Sequence, residues 1–562
     1  MNLSSEMLAL LLGGTVLVPL VSTGLVLMGR VGPGALVLAP LPSLLAPWPL
    51  LVGSTGETAL GLALPWLLLG AQLTLDPITL WWMPPSAAIW ALAAWLGRSE
   101  LAGRRGLMGL WGLALSGNLW LLLAGDAVSI LAATALSSLA AYGLIMVRND
   151  PAAHRAGRVY LVLMILGEVA SLVGLILLVV LDGTGSASIV GLISVLLLLG
   201  FGVKAGVFPL HFSLPLSYQA APPWAGLVLA GALINAPLVA WLRLTPALDP
   251  AEAAASGSIW LVLGLTAAFY GALMGLGQRR PGALLGYSSM SQIGLLTAAL
   301  GLGLSQPASG APIQGMVLFY ALHHAVAKAA AFAGLDWWER AGRSRRPWIL
   351  LGLVIPALAI AGAPGTSGLF AKLELKHALG HEWGPMLSVS SLLTAALMGR
   401  FLWLMAQAVT QPPDHPGRAP GPAAPVVFIA FLVASLGLGV GAALSGIGGT
   451  EPVWDKVLLE AAWPLVAGLT LGLGTAALGL DPRLPAGDGI VLLRARPRAR
   501  GLLPSRGLPI TRGGRPERLL ARGAKVLDGL EGALRLPTYG GIAVFLVLLL
   551  LFLTLVPASV SP

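Results

Sequence analysis

Lys204–Pro223 reads KAGVFPLHFSLPLSYQAAPP. The run ahead of it, 187–203, carries no charged residue, so Lys204 sits at the end of an apolar stretch suited to a membrane helix. Gly206 and Pro209 follow at once. Glycine admits backbone that other residues avoid, and proline lacks the N–H that a helix interior needs. The stretch therefore reads as a membrane helix broken just after a lysine. Irregular backbone at membrane depth is tolerated only where protein buries it or where it lines a wet cavity. An ionisable group there is a functional candidate by default.

A second stretch has the same ingredients. Gly362–Lys372 reads GAPGTSGLFAK, again glycines and a proline beside a lysine in an apolar setting. Lys372 lies 168 residues and five spans beyond Lys204. An odd offset means that the repeated units have opposite topology, as in inverted-repeat transporters.

The composition fits. Of 562 residues, 57% are hydrophobic and only 10% charged, with mean hydropathy +0.86; soluble domains carry roughly 25% charge. A soluble enzyme, a nucleic-acid-binding domain and a disordered chain are excluded. With no cysteine, disulfides, thiolate metal sites and Cys-ligated iron–sulfur clusters are excluded too. The 7 histidines form no metal-binding cluster, and no Walker motif or strand–GxGxxG–helix unit occurs. No cofactor is expected, and no redox chemistry of the chain's own.

About sixteen candidate spans emerge: 7–29, 33–53, 77–97, 106–124, 127–147, 157–181, 187–217 (broken), 223–246, 258–277, 283–303, 312–335, 349–376 (broken), 386–409, 424–447, 462–480 and 539–557. The short apolar stretch 60–75 reads as a hairpin at the membrane surface. The fold class is an all-α polytopic membrane protein of about 14–16 transmembrane helices. Its expected units are 1–105 (N-terminal spans and hairpin), 106–247 and 258–409 (two inverted five-helix repeats), 424–480 (C-terminal spans), 494–538 (a basic loop) and 539–562 (the last span).

Charge orients these spans. Of 33 Lys and Arg, 26 follow odd-numbered spans, four lie within spans, and only Arg243, Lys376 and Lys456 follow even-numbered ones. By the positive-inside rule the basic loops are cytoplasmic, with both termini outside a cell's inner membrane. The net +10 thus sets topology and implies no nucleic acid. In 494–535, residues 515–535 show helical apolar spacing. An amphipathic surface helix and a plain basic loop fit equally, and both meet anionic lipid headgroups. Six ionisable positions stand out within spans: Glu168, Lys204, Lys328, Lys372, Glu374 and Arg400.

These residues resemble a family: the antiporter-like proton-conducting subunits of respiratory complex I, membrane-bound hydrogenases and Mrp-type cation/proton antiporters. Lys204, Pro209, Leu210, His211, Leu214, Pro215, Ala220 and Pro223 fit the family's K-x-x-x-x-P-L-H-x-W-L-P-D-A-x-x-A-P-x-P. GYSSMSQIG at Gly286–Gly294, HAVAK at His324–Lys328 and GLFAK at Gly368–Lys372 fit three further motifs, in family order. The likeness covers about 105–410. It implies two inverted five-helix repeats, each with a lysine on a broken helix, joined by a hydrated polar chain. It also implies other membrane subunits and a peripheral soluble partner. Relatives place a surface helix before the last span, where 515–535 lies here.

The chain departs from the pattern in its first half. Relatives carry a glutamate on the fifth span where this chain has Ala135, counted from Tyr142. They carry Lys or His on the eighth where it has Asn235, counted from Arg243. Leu216 replaces an Asp, and Arg280 stands where the Asp of a D-x-K-R run would be.

The expected chemistry is a coupled lysine–carboxylate pair. Burial disfavours a charged lysine and a nearby carboxylate favours it. At ~6 Å and an effective dielectric near 20 the pair energy is of order 3 kcal/mol. Moving the carboxylate away thus changes proton affinity about a hundredfold. Glu168 is the expected substitute for the missing fifth-span acid, with simple neutralisation of Lys204 as its bland reading. Lys328 with His323 and His324 would form a central relay or, alternatively, interhelical hydrogen bonds. Lys372 would be the far lysine, with Glu374 as a modulator. His211 fits a bridge between the halves and a helix cap equally. Ser288, Ser289 and Gln292 suit channel water and helix packing alike; Asn235 carries water but holds no proton.

The leading expectation is a proton- or cation-translocating subunit of a larger membrane complex. The alternatives are a proton-conducting subunit energising inorganic-carbon uptake, an Mrp-type Na+/H+ antiporter subunit, and a structural subunit with a decayed channel. Ala135 and Asn235 favour the last.

Overall fold

In lipid, backbone polar groups must be satisfied within the segment, so long apolar runs form helices. The computed structural model describes residues 5–48, 60–65, 70–181, 186–306, 310–410, 421–445, 454–479 and 484. The basic loop 494–538 with its surface helix and the span 539–557 lie outside the described residues.

The first part holds α1 (Ser5–Leu27), a short apolar segment, β1 (Leu60–Leu64), β2 (Ala71–Leu75), α2 (Pro77–Leu101) and α3 (Arg105–Leu123). Next come α4 (Ala127–Ala140, continued by a turn at Tyr142–Ile145), α5 (Pro151–Val180), α6 (Ala187–Ala205), α7 (Ser213–Ala220), α8 (Pro223–Gly231) and α9 (Ala236–Leu244). Then follow α10 (Pro250–Leu276), α11 (Pro281–Ser305), α12 (Gly310–Arg340), α13 (Arg346–Ala361), α14 (Ser367–Leu379) and α15 (Gly384–Gln407). The last two are α16 (Ala423–Leu444) and α17 (Trp454–Ala477). Twelve helices among the described residues are long and apolar enough to cross a membrane. The 25-residue α2 and the broken pair α13–α14 stand beside them.

Two expectations change. The second span, 33–53, is not one twenty-residue helix over its described part: it is a four-residue helix, Ala35–Leu38, and a 3-10 turn, Leu41–Leu45. Pro40 and Pro42 interrupt the ladder there. Helices α5 and α10 begin six to eight residues ahead of their hydropathy limits. Asp150-Pro151 and Asp249-Pro250 explain why. Each Asp accepts a hydrogen bond from the first helical turn, and each Pro takes the first position, where no N–H is needed. Asp76-Pro77 starts α2 in the same way.

The 60–75 stretch is a hairpin, and its strands are antiparallel, with Leu62 opposite Leu73. It docks on the turn between α3 and α4, where Gly125 N–H donates to Gln72 O at 2.8 Å. Arg243 ties this corner: it pairs with Asp76 at 3.0 Å and donates to the carbonyls of Leu121, Leu122 and Ala124.

The partly exposed α10 packs on the buried α11 along a glycine seam. Gly257, Gly264 and Gly271 recur every seven residues on α10; the first two face Gly301 and Gly294 on α11, and Gly271 meets the backbone at Tyr287 and Ser291. Without a hydrophobic drive between helices in lipid, such small residues bring backbones into close contact. A Cβ on Gly264 would sit 2.5 Å from the Ala298 backbone nitrogen. The membrane-spanning stretch of α11 is wholly buried, whereas little of that of α17 is, so α11 is the axis of the bundle. Gly264→Ala is expected to lower stability by about 1–3 kcal/mol through overpacking, whereas Gly13→Ala on α1, with nothing within 4 Å, should leave it unchanged. Thermal unfolding in detergent measures both, and equal melting temperatures would contradict a tight seam.

Candidate functional site

Gly206 takes a left-handed conformation, φ +74°, that ends α6 and lets the chain turn into α7. This leaves Lys204 in the last helical turn, buried. Its ammonium lies 3.0 Å from Glu168 Oε1 on α5, with the side chains 5% and 14% exposed. The same carboxylate oxygen accepts from Ser138 Oγ at 2.7 Å. Ser138 is one turn beyond Ala135 on α4, so the helix that lacks an acid still reaches the pair with a hydroxyl. Tyr160 donates to Ser138 O at 2.7 Å and holds that turn in place. Beside the pair is a cavity of about 40 Å³ lined by Thr134, Ser137, Ser138, Ser213 and Ser217. These hydroxyls escaped the sequence reading, because serine and threonine also cap and pack helices.

The central group lies on α11 and α12. Lys328 is fully buried and donates to Leu285 O at 2.9 Å. His323 Nδ1 is 2.8 Å from Ser367 Oγ, at the start of α14. His324 is buried, and neither ring nitrogen has a hydrogen-bond partner among the described residues. Gln292 joins three helices: it donates to Thr394 Oγ1 at 3.0 Å and accepts from the Tyr320 hydroxyl. Ser288 and Ser289 are fully buried on the same helix. Asn235 lies in a 3-10 turn between α8 and α9, donating to Gly231 O at 2.9 Å. The His211 ring packs among Phe208, Phe212, Tyr270 and Tyr287, the last two on α10 and α11, so it touches both halves of the chain.

Lys372 is held differently. Gly362 and Gly365, with φ +84° and +80°, separate α13 from α14. The break leaves carbonyls at the end of α13 without helical partners, and Lys372 donates to one of them, Ala361 O, at 2.6 Å. A helix C-terminus carries partial negative charge, so it serves as a counter-charge. Glu374 is half-buried two residues further along α14. Lys376 pairs with Glu460 of α17, and both line an 80 Å³ cavity that contains Lys372. Glu460 was missed because it lies two residues ahead of the span limit hydropathy assigned.

Two further acids, Asp336 and Glu100, were also missed. Asp336 is fully buried on α12 and pairs with Arg340 at 2.7 Å, one turn on. Arg340 approaches Glu100, which accepts from Trp224 Nε1 at 2.7 Å. Arg400 is buried on α15 and lines a separate, larger cavity.

With this geometry in place, the comparisons identify the membrane core. Residues 124–399 match the family model described as NADH:quinone oxidoreductase/Mrp antiporter, TM. That segment belongs to the family. The chain is 29% identical over 186 residues to a Na(+)/H(+) antiporter subunit of Alkalihalophilus pseudofirmus, covering 31% of this chain and 36% of that protein. It is 27% identical over 289 residues to an NADH-quinone oxidoreductase subunit of Desulforudis audaxviator, covering 47% and 56%. The matched part thus spans about a third to just over half of these curated relatives. The fold is like that of a chain in the Mrp complex from Dietzia sp. DQ12-45-1b, with TM-score 0.71 and 20% identity, covering 99% of this chain and 64% of that one. It is also like a chain of an archaeal membrane-bound sulfane sulfur reductase, with TM-score 0.66 and 21% identity, covering 84% and 99%.

The Lys204–Glu168 pair makes a stability prediction. Breaking a buried pair from one side costs about 3–5 kcal/mol, because the other charge is left behind. Glu168→Ala and Lys204→Met should each melt lower, and the double variant should recover most of the loss. Additive losses in the double variant would show that the two side chains do not interact.

Proposed function

We propose that this protein is a proton-translocating, antiporter-like subunit of a multisubunit membrane complex. The observation that carries the reading is the Lys204–Glu168 pair, 3.0 Å apart at the broken end of a membrane helix beside a hydroxyl-lined cavity. At that distance and an effective dielectric near 20, the Coulomb attraction is about 5 kcal/mol before desolvation is subtracted. Drawing Glu168 away removes that attraction and favours release of the lysine's proton. Ser138 offers the carboxylate a hydrogen bond in the paired state. Lys328, His323, His324 and Lys372 continue the series of ionisable groups, with Asn235, Ser288, Ser289 and Gln292 as polar neighbours and Glu374 and His211 in supporting places.

In this reading 106–247 and 258–409 are inverted repeats. They are supported by breaks at positive-φ glycines in each, Gly206 in one and Gly362 and Gly365 in the other. The basic loops face the cytoplasm of a cell's inner membrane, and the termini face outside. Other membrane subunits and a peripheral soluble partner supply the driving energy, and 494–538 meets anionic lipid. Sodium in place of the proton is a second reading, favoured by the relative named as a Na(+)/H(+) antiporter subunit.

The test is ion flux by the reconstituted complex in proteoliposomes, read with proton- and sodium-sensitive dyes. Lys204→Ala and Glu168→Gln are expected to cut flux about tenfold or more, as befits ionisable groups on an intramembrane path. Wild-type flux in both variants would reject the proposal and favour a structural role.

A further inference from the structure

A third cavity, the one that Arg400 lines, lies on the face that carries the Arg148 and Arg279–Arg280 loops. It is large, about 900 Å³, and charged, with Arg148, Asp150, Arg280, Glu339 and Arg400 in its wall. The 40 Å³ cavity beside Lys204 lies next to it, and one residue lines both: Tyr218. Tyr218 sits near the end of α7, the short helix that the break at Gly206 creates. It is buried, and its hydroxyl donates to Leu229 O on α8 at 3.1 Å. Its ring meets Phe332 of α12 edge-on, with centroids 5.5 Å apart. Its sequence neighbours divide between the two spaces. Ser217 lines the small cavity, and Gln219 lines the large one.

We propose that Tyr218 is the gate through which water, and with it protons, passes from the large vestibule to the Lys204–Glu168 pair. The inference deepens the translocation reading and rests on it. The ring is the partition, and its bond to the Leu229 carbonyl is the latch. The inner cavity has room for about three waters, enough to carry a proton along a short water chain to the pair. A ring that swings on its side-chain torsions opens such a path without moving a helix.

The chain has no cysteine, which makes the test direct. Single cysteines are placed at Gln219→Cys and Ser217→Cys in the full chain, in membrane vesicles that expose the vestibule face. The silver ion, Ag+, is the thiol-reactive probe, because it is small enough for the inner cavity. With Tyr218 present, Gln219→Cys is expected to react quickly and Ser217→Cys slowly. Tyr218→Ala should bring the Ser217→Cys rate up to that of Gln219→Cys. Tyr218→Phe keeps the ring and removes the latch; it should speed labelling about fivefold, the equivalent of one net hydrogen bond. This variant carries the test if the Ala form fails to label at Gln219→Cys. Equal rates at the two cysteines with Tyr218 intact would overturn the gate, as would a Ser217→Cys rate unchanged by either substitution. Flux with Lys204→Ala is measured alongside. Unaltered flux would sink the translocation reading and leave the labelling result standing, so the two failures are distinguishable.

Discussion

A charge placed in hydrocarbon must have its compensation supplied by the protein. Much of this structure follows from how it meets that demand. Lys204 has a carboxylate from the neighbouring helix, Glu168, at 3.0 Å. Lys328 has a backbone carbonyl at 2.9 Å, and Lys372 has the buried carbonyl end of a broken helix at 2.6 Å. The three solutions differ in strength and in what can switch them. A carboxylate side chain can swing, whereas a carbonyl within a helix moves only with its backbone. The pair at Lys204 is therefore the place where a small motion makes the largest electrostatic change.

The helix breaks serve this chemistry. Gly206 ends α6 just beyond the pair and makes room for α7, whose Ser213, Ser217 and Tyr218 line the adjoining cavity. Gly362 and Gly365 part α13 from α14 and free the carbonyl that Lys372 uses. At each break a glycine with positive φ ends one helix beside a lysine. The glycine seam between α10 and α11 holds the bundle tight around these breaks by backbone contact.

Much of this was legible in the residues. The membrane class came from hydropathy and scarce charge, and the broken helices from glycine and proline beside a lone lysine. Glu168 was singled out as an acid in an apolar span. Its distance from Lys204 was not legible, since that depends on how α5 and α6 rotate against each other. The hydroxyls around the pair were not legible either. Serines recur throughout the chain, and nothing local separates Ser138, which meets Glu168, from Ser171, which does not. Pro40 and Pro42 interrupt a stretch whose hydropathy alone suits a full span.

Local chemistry determined where helices start and stop, because Asp-Pro caps, glycine breaks and apolar length act over a few residues. The sequence also pointed to Glu168, Lys204 and Lys328 as ionisable groups in the membrane, because each lies in a long apolar run. Only the tertiary structure decided who meets whom: Lys204 with Glu168, Lys376 with Glu460, Arg243 with Asp76, and Tyr218 between two cavities. Those partners come from different helices, and their meeting is set by packing across the bundle, which no short stretch of sequence encodes.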